Sequence, residues 1–374
     1  MRIGIDARLY GTKHGGIGRY IQELIKNLEL EDQSNEYYIL LSAEGFATYE
    51  PGQKNFHKVK ASYKIYGLGE QLLLPILLYK YNLNLMHFPH FNVPWLYAKR
   101  YIVTIHDLII SHYPSSRSTT LNPLLYRLKL LVYNLVVKQA AQRAFKIIAV
   151  SEFTKSDIVR FLKINPFKIH VVYEGVDLPA QVGDCSQVLN KLNLDNNFIL
   201  YVGSAYPHKN LEKLAEAFGS VKKDFPELKL VLVGRDNFFY QRLKAELKEK
   251  FTNETSVLDS IIFAGYLNDE DLACLYQSAK AYVFPSLLEG FGLPPLEAAN
   301  YGLPVISSKA SCLPEVLGES AVYFNPESLI EMTEKIEEVL GDETLRQKLI
   351  IAGHENLTRF SWRKMAEEIL ALYR

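Results

Sequence analysis

Short apolar runs alternating with amphipathic stretches set the rhythm of the chain. RIGIDA (2–7) has the composition of a buried strand, and the glycine-rich YGTKHGG follows it. IGRYIQELIKNL then places Ile21, Leu24, Ile25 and Leu28 on one helical stripe. YYILLS (37–42), LMHF (85–88), YIVTIH (101–106), KIIAVS (146–151) and IHVVYEG (169–175) read as further strands, with helical segments between several of them. Periodicity lapses over DLPAQVGDCSQVLN (177–190), which reads as a linker. The pattern then restarts with the strand FILYVGS (198–204) and the helix NLEKLAEAFGSV (210–221). Strands KLVLVG (229–234), SIIFAG (260–265), AYVFPS (281–286) and PVISS (304–308) follow, and FSWRKMAEEILALYR closes the chain as a helix. Strand–helix alternation on this scale predicts an α/β protein with two doubly wound parallel sheets, over 1–178 and 191–358. Two such sheets joined by a linker imply a central cleft. Ligands are expected beyond the C-terminal ends of the strands, where loops enter helices.

The totals change this picture little. A chain of 374 residues, 48% of them hydrophobic, has material for two cores. The net charge of zero hides an asymmetry: residues 1–178 carry a net +8 and the remainder −8, which reads either as chance variation between two solvated surfaces or as a first half that faces something anionic. Cys185, Cys274 and Cys312 are scattered, make neither a disulfide framework nor a metal spacing, and fit a reducing compartment. MRIGIDARLYG lacks the apolar run of a signal peptide, and no window approaches ~18 uncharged apolar residues. The expected location is the cytoplasm. No nucleic-acid motif is present.

The richest stretch is SLLEGFGLPPLEAANYGLPVI (286–306). It follows a strand, so SLLEGFGLP is a loop at a strand's C-terminal end. Pro294 and Pro295 suit a helix start, which places Glu297 in the first turn and Glu289 in the loop before it. The loop then lets both carboxylates face one ligand. Gly290 and Gly292 permit close approach of the backbone, and the helix N-terminus favours a phosphate. A carboxylate accepts from both hydroxyls of a vicinal diol, so two carboxylates suit the two sugars of a nucleotide sugar. A surface turn carrying two solvated acids is the plainer alternative. Lys209, in the loop GSAYPHKN, and His106, at the end of VTIHDL, also sit just beyond strands. Gly15 and Gly16 lie between the first strand and its helix, but do not make a G-x-G-x-x-G fingerprint. No metal-ligand cluster appears: there is no suitably placed D-x-D and no H-x-x-x-H pair.

E-G-F-G-L-P-P-L-E resembles the E-x7-E motif of retaining glycosyltransferases of the GT-B fold, notably glycosyltransferase family 4. HGGIGRYIQELIKNL, VTIHDLI, AVSEFTKSDI, VVYEGVD, YVGSAYPHKNLEKLAEAF, LPEVLGESAVYFNP and FSWRKMAEEIL resemble that family in its own order, across essentially the whole chain. The resemblance implies a GT-B fold whose last helix, 360–374, completes the first, acceptor-side domain, with the nucleotide-sugar donor bound by the second. It implies that Glu297 binds the ribose hydroxyls and Glu289 those of the donor hexose. The backbone N–H groups of Gly290, Phe291, Gly292 and Leu293 would reach the sugar and diphosphate. Lys209 would lie over the diphosphate, where a fixed ammonium stabilises the leaving charge. Gly15, Gly16 and His106 would lie beside the donor. Many relatives place an arginine at about Ser204; its absence leaves His208 or Arg235 as the second donor to the diphosphate. Glu174 is read as marking an interdomain turn hinged at Gly175, and Glu315 as lying near the nucleotide.

GGIGRY with PHKN leans towards mannosyltransferase-like members, hence GDP-mannose. The expected activity is retaining, metal-independent transfer of a hexose to a glycan or lipid-linked acceptor, with no cofactor beyond the nucleotide-sugar co-substrate. The rivals are a UDP-hexose donor, an epimerase or phosphorylase of the same architecture, and a non-catalytic nucleotide-sugar-binding subunit. One region stands apart. From Leu108 to Ser151 there is no Asp or Glu, but there are Arg117, Arg127, Lys129, Lys138, Arg143 and Lys146. NPLLYRLKLLVYNLVVKQAAQRAF is also heavily apolar. It reads either as a helix packed on the sheet with a solvated basic edge, or as one in peripheral contact with an anionic membrane at the inner face of the cell.

Overall fold

The apolar runs become parallel strands because helices cover both faces of each sheet, so central strands are buried throughout. The fold is described from a computed structural model, for residues 1–112, 122–176 and 182–374. Arg117, Asp177 and the start of the expected linker lie outside the described residues. The chain divides into two units, Met1–Gly175 with Phe360–Arg374, and Val176–Arg359.

The first unit holds β1 (Arg2–Ala7), β2 (Glu36–Leu41), β3 (Phe56–Lys60), β4 (Leu85–Phe88), β5 (Tyr101–Ile105), β6 (Lys146–Ala149) and β7 (Ile169–Val171). They form one parallel sheet in the order β3-β2-β1-β4-β5-β6-β7. Strand order reverses at β1, so the loops leaving β1 and β4 part in opposite directions. The helix Gly15–Glu31 buries Tyr20, Ile21, Leu24, Ile25 and Leu28, the stripe that its periodicity predicts. Gly15 and Gly16 open this helix rather than lying in the loop before it. Strand β3 was not expected. Its FHKVK is an edge strand with only Phe56 and Val59 buried, so it lacks a continuous apolar run.

The last helix, Trp362–Tyr373, belongs to this unit. Tyr373 Oη and His87 Nδ1 share a hydrogen bond of 2.8 Å, Arg363 pairs with Glu31 at 2.7 Å, and Lys146 Nζ donates to the Leu372 carbonyl at 2.8 Å. Gly175 fits under the start of this helix: an added Cβ would stand 2.1 Å from the Trp362 amide nitrogen.

The second unit holds β8 (Phe198–Val202), β9 (Lys229–Val233), β10 (Ile261–Gly265), β11 (Ala281–Phe284), β12 (Val305–Ser308) and β13 (Ala321–Phe324). They form a parallel sheet ordered β10-β9-β8-β11-β12-β13. Here the order reverses between β8 and β11. The edge strand β13, half-buried at its centre, is the other strand that periodicity did not reveal.

Two expectations about the region after residue 176 are corrected. The stretch read as linker contains a helix, Ser186–Lys191. The cysteines are not three free thiols: Cys185 and Cys274 form a disulfide, with Cα atoms 5.3 Å apart across 89 residues of sequence. Separation along the chain hid the pairing, which follows from packing of helix Ser186–Lys191 against helix Asp269–Ser278. The bonded pair removes the cysteine argument for a reducing compartment. Cys312 is free and buried, and burial pushes its thiol pKa well up.

Gly175→Ala is expected to destabilise the first unit by about 1–3 kcal/mol through overpacking against backbone that cannot move aside. Thermal unfolding followed by near-UV circular dichroism checks this; an unchanged melting temperature would show that the final helix is not seated there.

Candidate active site

Because β8 and β11 are neighbours, the loops that follow them meet at the order reversal of the second sheet. Three contacts stitch these loops together. The Leu287 amide donates to the His208 carbonyl at 2.7 Å, Asn210 Nδ2 donates to the Pro285 carbonyl at 3.2 Å, and Lys209 Nζ donates to Glu289 Oε1 at 2.6 Å. Asn210 also reaches the Pro326 carbonyl at 2.9 Å and adopts a left-handed backbone, φ 59°, at the start of helix Leu211–Val221. The Lys209–Glu289 pair is largely buried, with side chains 17% and 10% exposed. The Lys209 ammonium also lies 5.6 Å from the centre of the Phe284 ring.

The end of β12 supports the Glu289 loop from the other side. Ser308 Oγ donates to the Ser286 carbonyl at 2.5 Å, and the Glu289 amide donates to Ser311 Oγ at 3.0 Å. Cys312 Sγ lies 3.3 Å from the Glu289 carbonyl and 3.2 Å from that of Phe291. Gly290 and Phe291 are buried, and Gly292 caps the helix Leu293–Asn300 at φ 96°, a conformation that favours glycine. Since the helix begins at Leu293, Glu297 lies just past the first turn rather than within it. There it accepts a hydrogen bond from Tyr276 Oη at 3.3 Å, and Tyr276 stacks on Tyr301.

Arg235 and Ser204 occupy the neighbouring loops. Arg235 is exposed and lies over the Tyr266 ring at 5.1 Å, while the Ser204 carbonyl accepts from Tyr201 Oη at 2.9 Å. His208 does not supply a second cation at neutral pH. Burial, with Lys209 beside it, pushes its pKa down to about 4, so the ring is neutral.

In the first unit, His106 follows β5 and is buried between two acceptors. Its Nδ1 meets Glu174 Oε1 at 3.1 Å and its Nε2 meets the Pro89 carbonyl at 2.9 Å. The Tyr20 ring packs edge-on to it at 4.8 Å. A carbonyl and a carboxylate both accept, so both ring nitrogens satisfy them only when both carry protons. Burial alone would lower the His106 pKa, but the Glu174 hydrogen bond and charge, with the Pro89 carbonyl, outweigh it and raise the pKa. Glu174 is therefore a partner of His106 rather than merely the mark of a turn.

A family model described as Glycosyltransferase Family 4 matches residues 14–179, and one described as Glycosyl transferases group 1 matches 187–356. The O-antigen chain mannosyltransferase B of Escherichia coli is 27% identical over 390 residues, covering 96% of each chain. The MMP alpha-(1->4)-mannosyltransferase of Mycolicibacterium hassiacum is 31% identical over 63% of this chain and 55% of its own. The architecture is shared with sucrose-phosphate synthase from Thermosynechococcus elongatus, at a TM-score of 0.79 and 20% identity over 100% of this chain and 98% of that one. It is also shared with WaaG, at 0.72 and 14%, over 99% and 98%. The chain is a GT-B glycosyltransferase of the family 4 type.

In this transferase, several supporting residues had no signature in the sequence. Ser308, Ser311 and Cys312 act through β12, two strands from the Lys209 loop, and Tyr276 through a helix that carries no motif. Arg8 is a larger omission. It is buried just after β1, paired with Asp6 at 2.6 Å and Glu70 at 2.7 Å, and it also donates to the Tyr63 carbonyl. This triad pins the loop that leads to Gly15 and Gly16, at the order reversal of the first sheet. Glu315 lies on the short helix Leu313–Leu317, its carbonyl accepting from Arg359.

Glu174→Gln is expected to lower the His106 pKa. The raised pKa stabilises the fold fully below the ordinary histidine value of about 6.5, and that stabilisation is lost as pH rises through the raised value. The melting-temperature gap between wild type and variant therefore narrows as pH rises. Imidazole nitrogen NMR of His106 checks the shift; superimposable titrations would show that Glu174 does not hold the proton.

Proposed function

We propose that the transferase moves a mannosyl group, with retention, from GDP-mannose to a glycan or lipid-linked acceptor in polysaccharide assembly. The observation that carries this reading is the Lys209–Glu289 contact at the order reversal of the second sheet, flanked by Gly290, Phe291, Gly292 and Leu293. An ammonium there suits a diphosphate, and a carboxylate beside it suits the hydroxyls of a hexose. Glu297 is assigned to the ribose. The choice of mannose is supported by relatives named as mannosyltransferases, among them RfbU of Salmonella typhimurium, 28% identical over 68% of this chain and 65% of its own.

In the proposed reaction, the bond between the anomeric carbon and the β-phosphate oxygen breaks. The acceptor hydroxyl oxygen bonds to that carbon on the same face, and its proton passes to the leaving phosphate oxygen. Charge accumulates on the diphosphate as the bond lengthens. Lys209 opposes that growth, so it lowers the barrier rather than only tightening binding. Glu289 holds Lys209 in place until the donor arrives. No metal is required in this scheme, since Lys209 and the start of helix Leu293–Asn300 meet the diphosphate charge.

A donor screen read by mass spectrometry, with hydrolysis and transfer as outputs, tests the proposal. GDP-mannose is expected to turn over ahead of UDP-hexoses, and the reverse ranking would replace the donor. Lys209→Ala is expected to reduce kcat about 10²–10³-fold with a smaller change in donor Kd. Glu297→Ala is expected to weaken nucleotide binding about tenfold, the scale of one hydrogen bond to a charged group. Wild-type behaviour of both variants would remove the site assignment. A chelator such as EDTA is expected to leave turnover unchanged; loss of turnover restored by added divalent ions would overturn metal independence.

A further inference from the structure

The helix Pro123–Arg143 is apolar on two opposite sides. Tyr126, Tyr133, Val137, Ala140 and Ala141 are buried in the first unit. Leu124, Leu125, Leu128, Leu131, Val132 and Leu135 are each at least half exposed. At about 100° of turn per residue, these six fall within an arc of about 120°, on the side of the helix away from the core. Exposed Arg127 and Lys138 lie along one edge of that arc, and exposed Lys129 and Arg143 along the other. A surface helix facing water would be polar there. A helix whose outer stripe is aliphatic, with long basic side chains at both margins, matches the boundary between lipid acyl chains and headgroups.

The neighbouring elements extend this surface. Arg143 donates to the carbonyls of Trp95 and Tyr97 at 2.7 and 2.9 Å, tying the helix end to that segment. Tyr79 Oη donates to the Leu96 carbonyl at 3.0 Å, and the Trp95 amide to Gln71 Oε1 at 3.0 Å, tying the same segment to the helix Leu68–Lys80. Leu72 and Ile76 on that helix, with Trp95 and Leu96 between the two helices, are also exposed. Charge then decides what covers this surface. Residues 71–106 and 122–151 contain no Asp or Glu, and Glu70 is buried against Arg8. A second copy would bring positive charge onto positive charge. An anionic bilayer is complementary in both charge and apolarity. Among the described residues, no helix is long and apolar enough to cross a membrane, so the contact is peripheral.

We propose that the outer face of helix Pro123–Arg143, with its neighbours at Leu72, Ile76 and Trp95, is a docking surface for an anionic lipid bilayer. The assignment rests on this surface and holds whatever donor the enzyme uses. The test is co-sedimentation of the full chain with sucrose-loaded vesicles of phosphatidylcholine, with or without ~30% phosphatidylglycerol, at two salt concentrations. The protein is expected to pellet with the anionic vesicles, to lose binding as salt rises, and to remain in solution with the neutral ones. Leu128→Glu with Leu131→Glu is expected to lower vesicle binding about tenfold or more, with an unchanged melting temperature, since both side chains are exposed. Arg127→Gln with Lys138→Gln is expected to weaken binding and flatten its salt dependence. Equal pelleting of wild type and the leucine double variant, or equal binding to neutral vesicles, overturns the proposal. So does a vesicle-free dimer that the leucine variant converts to monomer, because the surface would then be an interface between copies. Nucleotide-sugar binding by the same variants is expected to match wild type, which separates failure at this surface from failure of the donor assignment.

Discussion

The adjacency of β8 and β11 is the constraint from which the rest of the second unit's chemistry follows. The chain builds outward from β8 through β9 to β10, then returns to β8's other side with β11. Parallel strands place their exits at one end of the sheet, so Lys209 and Glu289, 80 residues apart in sequence, come within 2.6 Å. Each loop is then held by backbone contacts that need no particular side chain at the charged positions, such as Leu287 to His208. The geometry of the charges is thus fixed by strand order and backbone pairing. Stability alone is a poor reason to keep such a pair. Withdrawing two ions from water costs several kcal/mol, which their mutual attraction repays only in part. The proposed donor, whose diphosphate would take over the ammonium's hydrogen bond, supplies a reason to keep this largely buried pair at a strand end.

The first unit solves a related problem with a different device. At its order reversal, Arg8 is sealed between Asp6 and Glu70, so the loop after β1 is anchored by an ionic network with its partners satisfied. His106 stands one strand beyond β4, and its two nitrogens are both claimed by acceptors. Such a histidine is poorly suited to shuttle a proton, since losing one would leave a buried acceptor without a donor. The proposed reaction asks for no such shuttle, since there the leaving phosphate takes the acceptor proton.

Central strands were readable in the sequence because burial on both faces writes a continuous apolar run. The edge strands β3 and β13 were not, since only Phe56 and Val59 of FHKVK and the two end residues of AVYF are buried. The loops carrying Lys209, Glu289 and His106 were readable because each directly follows a recognisable strand. Their supports were not: Ser311, Cys312 and Tyr276 in the second unit, and Glu174 in the first, come from other elements of the same unit, and no spacing along the chain announces a contact made across a sheet. The disulfide shows the same limit. Cys185 and Cys274 looked like scattered thiols until two helices placed their Cα atoms 5.3 Å apart. The position of Glu297 was off by a fraction of a turn, because Pro294 and Pro295 follow Leu293 into the helix rather than starting it.

The helix Pro123–Arg143 shows why periodicity could not choose between packing and membrane contact. Its leucines repeat at helical spacing, which either reading requires. What periodicity cannot supply is which stripe faces the core. The structure gives that place to Tyr126, Tyr133, Val137 and the alanines, and leaves six aliphatic side chains facing away from it. Two opposed apolar stripes also cancel, so a helix built to lie between a protein core and a lipid surface looks less amphipathic than one built for water. The absence of acidic residues is the feature that survives this cancellation. An ordinary solvated helix gains from mixed charge, whereas only an anionic neighbour rewards a surface of one sign.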